Sequence, residues 1–118
     1  MLNVGEIMPH CIIEHSAEIC AQQLIDAVQQ GALESDLFEA KGSDIKIRAL
    51  PYKNFKTGSV TLNFIHVTLK ILSGRNNQQK KQLTTIVMAH IKELNLTDCS
   101  ISVEVVDIDK NSYAKFIS

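Results

Sequence analysis

The sequence predicts an α/β (α+β) domain in which two β-α-β units form one four-stranded mixed sheet, with both helices on one face. The first observation is size, because 118 residues of which 45% are hydrophobic suit one compact core. The second is periodicity: four segments alternate as strands do, and two have the spacing of amphipathic helices. The third is an internal repeat, since a shift of 56 residues lays Ile45 and Ile47 on Ile101 and Val103.

The first unit, about residues 9–51, opens with a strand and a helix. An apolar run at 9–16 predicts the strand, and the segment that begins at Ser16 has helical spacing. Gly31 is expected to end this helix near its C-terminus. The residues predicted to form the buried face of the helix are Cys20, Leu24, Ala27 and Val28.

The second strand of this unit is predicted at 45–50. Ile45, Ile47 and Ala49 alternate there with the residues of the other face. Pro51 is expected to close the strand, because proline cannot donate to the hydrogen-bond ladder. The polar stretch 52–59 is therefore predicted as a loop.

The second unit, about residues 62–108, repeats this order. A strand is predicted at 62–72, and Asn76 with Gln79 forms a capping-box pattern before a helix that runs to about residue 94. A fourth strand follows, in which Ile101, Val103 and Val105 alternate with polar residues. The expected buried stripe of the helix is Leu83, Ile86, Val87, Ile91 and Leu94.

One face of the predicted sheet is left without helices. A crossover helix makes the two strands of each unit parallel, and right-handed crossovers place both helices on the same side. The open face is too polar for a sealed core and too apolar for bulk water, so we expect it to pack against other subunits. Its predicted residues are Lys46, Arg48, Leu50, Phe64, His66, Thr68, Lys70, Ser102, Glu104 and Val106.

Composition excludes several classes of function. Twelve Lys and Arg against thirteen Asp and Glu give a net charge of −1, which lacks the basic excess of a nucleic-acid-binding protein. The longest mainly apolar stretch, 60–72, is interrupted by polar residues and is shorter than the roughly 20 residues that span a membrane. Residues 1–7 have no basic region or long apolar run, so a cytoplasmic protein is expected.

The cysteines and histidines are predicted to be structural. Cys11, Cys20 and Cys99 have no C-x-x-C spacing and are expected to be reduced thiols in the core. His90 lies on the apolar stripe of the second helix and is expected to be a core histidine. No metal-ligand spacing surrounds the other histidines, His10, His15 and His66, so no metal site is predicted.

Pro9 has two interpretations. A proline at the first position of a strand is structurally ordinary, because its missing N–H removes no ladder bond. If Pro9 were instead the first residue of the chain, its nitrogen would be a secondary amine able to act as a base. Cations on the same sheet face, Lys46 and Arg48, and a nearby Arg75 would favour the neutral form of that amine.

Three motifs in order carry a family resemblance. They are Met-Pro-His-Cys-Ile-Ile-Glu-His-Ser at 8–16, Ser-Asp-Ile-Lys-Ile-Arg-Ala at 43–49 and Phe-Ile-His-Val-Thr-Leu-Lys-Ile-Leu-Ser-Gly-Arg at 64–75. Together they resemble the 5-carboxymethyl-2-hydroxymuconate Δ-isomerases of the tautomerase superfamily, over residues 8 to about 116. The second half also resembles the short 4-oxalocrotonate tautomerase unit.

The resemblance implies a tautomerase-like fold, a trimer and an isomerase that uses no metal or organic cofactor. It implies that an N-terminal proline acts as general acid and base on a small unsaturated 2-hydroxy or 2-oxo carboxylic acid. Pro9 matches this proline, and Arg75 matches the arginine of the Gly-Arg turn. Lys46 stands where the isomerases have an arginine, Arg48 is placed to compensate, and Tyr113 falls near an aromatic residue of the active-site wall.

Residues 1–8 are interpreted as an N-terminal extension or a misassigned start, ahead of one domain at 9–118. While they are attached, Pro9 is a tertiary amide without a basic nitrogen, so the longer chain is expected to be inactive. Two alternatives stay open: a non-catalytic oligomeric module that binds small molecules on the same fold, and a ferredoxin-like regulatory dimer with the same element order.

Overall fold

The computed structural model describes residues 9–60 and 62–118. Residues 1–8, interpreted above as an extension or misassigned start, lie outside the described residues. The elements follow in the predicted order of two β-α-β units. Their bounds are β1 His10–Ser16, α1 Ala21–Glu34, β2 Lys46–Tyr52, β3 Asn63–Leu72, α2 Asn77–Lys92 and β4 Cys99–Ile108.

The four strands form one mixed sheet in the order β2-β1-β3-β4. β1 pairs in parallel with β2, β3 pairs in parallel with β4, and β1 and β3 are antiparallel. The register sets His10 beside Lys46 of β2 and Lys70 of β3. The start of β1 and β2 and the end of β3 therefore meet at one end of the sheet.

A single apolar core lies between the sheet and both helices. Alternate residues of β1 and β3, among them Ile13 and Val67, are fully buried against Leu24 of α1 and Val87 of α2. The helices therefore cover the same face, as predicted. Partly buried strand residues of β2 and β4 complete the layer: Ile47, Ala49, Ile101, Val103 and Val105.

The two helices begin differently. At α2 the Asn76 side chain accepts a hydrogen bond from the Gln79 N–H at 2.8 Å, and the Gln79 side chain accepts one from the Asn76 N–H at 3.0 Å. This confirms the predicted capping box, which satisfies two backbone donors at the helix start. At α1 the N-cap is Cys20, whose side chain makes no capping hydrogen bond.

Gly31 does not end α1, contrary to the prediction. The helix continues to Glu34, and Gly31 is buried inside it. A Cβ atom at this position would lie only 2.8 Å from the Val87 Cα, so the glycine lets α1 approach the backbone of α2 closely. The position is set by helix packing, which the spacing within one helix does not reveal.

Pro51 does not close β2 either, because the strand runs on to Tyr52. β2 is an edge strand, and Pro51 lies opposite His15 of β1. The Lys46 N–H donates to the Pro9 carbonyl oxygen at 3.2 Å. Because alternate residues of a strand turn their N–H groups to the same side, position 51 faces away from β1 and its missing N–H removes no ladder bond.

Two further predictions about single side chains are wrong. Cys11 is buried and Cys99 partly buried, but Cys20 is exposed at the start of α1 and lies outside the core. The His90 side chain is 24% exposed, and its Nε2 lies 2.6 Å from a Glu34 carboxylate oxygen. It therefore pairs with the last turn of α1 at the rim of the core.

No helix among the described residues is long and apolar enough to cross a membrane.

Candidate active site

The open face of the sheet gathers cations at the end where β1 begins. Lys46 and Arg48 project from β2, Lys70 from β3 and Lys115 from the segment after β4, and all four act electrostatically on His10 of β1. We call these four side chains the cation cluster. They come from different parts of the chain because the mixed sheet brings the start of β2 and the end of β3 to either side of His10.

His10 connects two other polar side chains of this face. Its Nδ1 lies 3.3 Å from the Arg48 Nη1, and its Nε2 lies 2.9 Å from the Tyr113 hydroxyl oxygen. The rings of His10 and Tyr113 meet edge to face, with centroids 6.1 Å apart. Tyr113 belongs to the irregular C-terminal segment, which thus returns to the first strand.

The surroundings of His10 disfavour its charged form. Burial lowers the pKa of His10 below its usual value of 6.5, and the positive charges of Arg48, Lys46, Lys70 and Lys115 lower it further. The imidazole is therefore neutral at pH 7. It serves this face as a hydrogen-bonding group rather than as a fifth cation.

Lys115 brings a cation into the site, and no anion of the described residues forms an ion pair with it. Its Nζ atom is buried and has no hydrogen-bond partner among the described residues. An ammonium group shielded from water and left unpaired is costly unless an anion joins it. Together with the neighbouring cations, this arrangement is suited to binding carboxylate groups of a small molecule.

Pro9 borders the cation cluster. It is buried at the start of β1, next to His10, and its carbonyl oxygen accepts the Lys46 N–H. Of the residues predicted for the site, the structure thus brings Pro9, Lys46, Arg48 and Tyr113 together.

Arg75 is the exception among the predicted site residues. Its guanidinium Nη2 donates to the Leu37 carbonyl oxygen at 2.8 Å, so this group is directed toward the segment that follows α1. A guanidinium has five N–H donors, so this one bond leaves four of them. The structure gives no contact of Arg75 with the residues around His10.

His10, Lys70 and Lys115 were not predicted as site residues. The alternation of β3 already placed Lys70 on the open face, and His10 follows Pro9 directly, so both had a signal in the sequence. Lys115 had none, because it lies beyond the last regular strand. No group of three or more His, Cys, Asp or Glu that could hold a metal ion occurs in the described part of the chain.

Comparison with known proteins agrees with this architecture. The family model for 5-carboxymethyl-2-hydroxymuconate isomerase matches residues 9–116. The chain belongs to this family. Membership of this family supports an isomerase activity for the protein. No match was found among curated proteins.

Solved structures share the fold of this isomerase family. A 5-carboxymethyl-2-hydroxymuconate isomerase from Deinococcus radiodurans R1 is 20% identical, with a TM-score of 0.76 over 96% of this chain and 92% of that chain. A macrophage migration inhibitory factor-like protein from Entamoeba histolytica is 15% identical, with a TM-score of 0.72 over 94% and 97%. A fused 4-OT described as an asymmetric trimer is 21% identical, with a TM-score of 0.66 over 90% and 91%.

Proposed function

We propose that this isomerase moves a proton between the enol oxygen and a distant carbon of a small unsaturated 2-hydroxy or 2-oxo carboxylic acid, with Pro9 as general acid and base. The observation that carries the proposal is the position of Pro9 beside the cation cluster. Such a site attracts an anionic substrate to the residue whose nitrogen does the chemistry. No cofactor is part of the proposal.

Pro9 performs this chemistry only as a secondary amine, which requires a nitrogen that carries no preceding residue. An α-amino group has an ordinary pKa of about 7.7 to 8.0. Burial and the cations that surround the adjacent His10 both disfavour the ammonium form, which favours the neutral form of a free Pro9 nitrogen near pH 7. It then accepts the proton of the enol hydroxyl, and the resulting ammonium delivers that proton to the distant carbon.

The substrate carboxylates are assigned to Lys46, Arg48 and Arg75. Lys46 supplies a point charge, whereas the planar guanidinium of Arg48 offers paired donors that match a carboxylate. Arg75 contributes through the N–H groups that it does not give to Leu37. Tyr113, which contacts His10, forms part of the wall beside Lys46 and Arg48.

We also propose that the protein is a trimer whose sites lie at subunit boundaries. The open face carries exposed apolar side chains, Leu50, Tyr52 and Val106, which are 48%, 37% and 37% exposed in the single chain. Burying them between subunits removes apolar surface from water. Two fused 4-OT structures with this fold are described as trimers. A mass by light scattering equal to a dimer would contradict the proposal. It would not restore the ferredoxin-like alternative, because the two strands of each β-α-β unit pair directly here, whereas the ferredoxin-like fold separates them.

The activity is tested with two lengths of the chain. A protein that begins at Pro9 is compared with the full chain in ketonisation of a small dienol acid, followed by ultraviolet absorbance. We expect the full chain to be slower by about 100-fold or more, because acid–base catalysis typically contributes that much. Circular dichroism of both proteins checks that they share one fold. If both proteins ketonise the acid only at the uncatalysed rate, the proposed enzymatic function is wrong and the non-catalytic binding module is favoured.

A further inference from the structure

We infer that Arg48, His10 and Tyr113 form a hydrogen-bond relay that presents the Tyr113 hydroxyl hydrogen to the substrate oxygen on which negative charge develops. Tyr113 is then a catalytic hydrogen-bond donor and His10 a positioning residue, while Arg48, which also binds a substrate carboxylate in the proposed function, orients His10. The inference rests on the proposed function and deepens it. We refer to these three side chains as the relay.

The direction of the relay follows from the donor groups. A guanidinium has only donors, so the Arg48 Nη1, at 3.3 Å, donates to the Nδ1 of His10. Because His10 is neutral, its single ring proton must then lie on Nε2. The Nε2–H in turn donates to the Tyr113 oxygen at 2.9 Å. The tyrosine oxygen is thus an acceptor in this contact, and its own hydrogen is free to point elsewhere.

The Tyr113 hydroxyl has no second partner among residues 9–60 and 62–118. Among the described residues, the charged groups that act on His10 are all cations: Arg48 and Lys46 from β2, Lys70 from β3 and Lys115 from the C-terminal segment. None of them accepts the hydroxyl hydrogen, since cationic groups have no free lone pair. An anionic or carbonyl oxygen of a ligand in the cation cluster is the acceptor that completes the site.

The first member of the relay is a cation, Arg48, and its charge determines the role of His10. A carboxylate at Nδ1 would stabilise a protonated ring and make the imidazole a base. Arg48 does the reverse, because it opposes protonation of Nδ1 and fixes the tautomer that donates from Nε2. His10 therefore orients Tyr113 and takes no proton from the substrate.

The proposed reaction has one atom that needs such a donor. When the Pro9 nitrogen accepts the enol proton, the O–H bond breaks and its electron pair leaves negative charge on oxygen. That charge becomes the carbonyl π bond as the distant carbon forms its C–H bond with the proton of the Pro9 ammonium. Tyr113 keeps its own proton and donates a hydrogen bond to the oxygen throughout, as oxyanion-binding donors do.

The relay also implies a preference among ligands, which the full chain can report without any turnover. The probes are 2-oxopentanedioate and pentanedioate, which have the same two carboxylates and differ by one carbonyl oxygen. We expect calorimetry to show tighter binding of the 2-oxo acid, by about tenfold, from one added hydrogen bond of about 1.4 kcal/mol. Tyr113→Phe should abolish this preference and leave the affinity for pentanedioate unchanged.

The chain offers a matched control for that variant. The Tyr52 hydroxyl donates to a Glu14 carboxylate oxygen at 2.7 Å, also on the open face and away from the relay. Tyr52→Phe removes one hydroxyl from the same face and should keep the preference for the 2-oxo acid. If Tyr113→Phe keeps it too, the proposed role of Tyr113 is wrong.

His10 gives an independent readout of the relay. Nitrogen-15 NMR of the full chain at pH 7 should show a neutral ring protonated at Nε2. His10→Gln retains an oxygen to accept from Arg48 and an N–H to donate to Tyr113, so it should retain the ligand preference, whereas His10→Leu should lose it. A ring protonated at Nδ1 would overturn the relay.

The two proposals fail in different ways. If the chain that begins at Pro9 shows no ketonisation while the NMR and binding results hold, the proposed function is wrong and the relay is a ligand-binding device. If ketonisation is fast and Tyr113→Phe lowers kcat by less than tenfold, the catalytic role of Tyr113 is wrong. We expect a loss in kcat of about 100-fold with little change in KM, the usual effect of removing one oxyanion donor.

Discussion

Polar side chains on the open face of the sheet have different hydrogen-bond partners from those buried elsewhere in the protein. Two buried polar residues away from the open face bond to the backbone: His15 Nδ1 of β1 contacts the Ser16 carbonyl oxygen at 2.9 Å, and Asp44, in the segment before β2, accepts the Glu39 N–H at 3.1 Å. On the open face, His10 bonds to the side chains of Arg48 and Tyr113. Groups tied to the backbone hold the fold, whereas linked side chains with spare donors can receive a ligand.

The cysteines give the largest contrast between buried and exposed positions. Burial raises the pKa of Cys11 from 9.0 to about 12, a difference that lowers its thiolate population about 1000-fold. Cys20 is exposed. We expect a disulfide reagent at pH 8 to label Cys20 at once and Cys11 only after unfolding, as read by peptide mass. Cys20→Ser should remove the fast phase, and prompt labelling of Cys11 would contradict the packed core.

The close approach of the helices gives the next largest effect. Gly31→Val places a side chain where even a Cβ would lie 2.8 Å from the Val87 Cα. We expect it to lower the free energy of unfolding by about 3 kcal/mol in urea titration, because the backbone of α2 must move. Gln30→Ala, at the exposed neighbouring position, should change stability by no more than about 0.5 kcal/mol. Equal effects would mean that the helices do not meet at Gly31.

Substitutions at the N-caps of α1 and α2 are expected to have smaller effects on stability. Asn76→Ala removes the side-chain acceptor of the capping box and should cost about 1 kcal/mol of stability. Cys20→Ala is the matched control at the other N-cap, where no side-chain hydrogen bond is lost. The same urea titration measures both variants. A larger loss for Cys20→Ala than for Asn76→Ala would reverse the comparison.

The smallest effect is the response of the open face to acid. Burial and then the four cations hold the pKa of His10 below 6.5 in the folded protein, so the unfolded chain binds more protons below that pH. The contribution of His10 to the free energy of unfolding is largest above pH 6.5. It declines as the pH falls from 6.5 toward the pKa of His10 in the folded protein. Urea midpoints from pH 7.5 to 5.5 should therefore fall more for the wild type than for His10→Gln. If the urea midpoints of the two proteins fall equally with pH, the cations do not lower the pKa of His10 and this account of its surroundings is wrong.

Local signals predicted most of the fold. The alternation of β3 and the Asn76–Gln79 box depend on nearby residues, and both are found as expected. Gly31 and Pro51 were misinterpreted because their roles depend on tertiary context: one lies where two helices approach, and the other on a sheet edge. His90 likewise pairs with Glu34, a residue of another helix.

The site was predictable in part. Pro9, Lys46 and Tyr113 were named from the family resemblance and Arg48 from its place on the same strand face as Lys46, and the structure brings all four to one end of the open face. The link through His10 was missed because it joins the first strand to Tyr113, 103 residues away. No periodic pattern connects a strand to an irregular terminal segment, so this contact had to come from the three-dimensional structure.

The central claim is that the Pro9 nitrogen transfers the proton, and the most direct measurement is kcat/KM for ketonisation by the chain that begins at Pro9, with and without Pro9→Ala. We expect the substitution to lower kcat/KM by about 100-fold, within the usual contribution of a general acid–base group, while circular dichroism stays the same. An unchanged kcat/KM would contradict the account, because catalysis would then not depend on the proline.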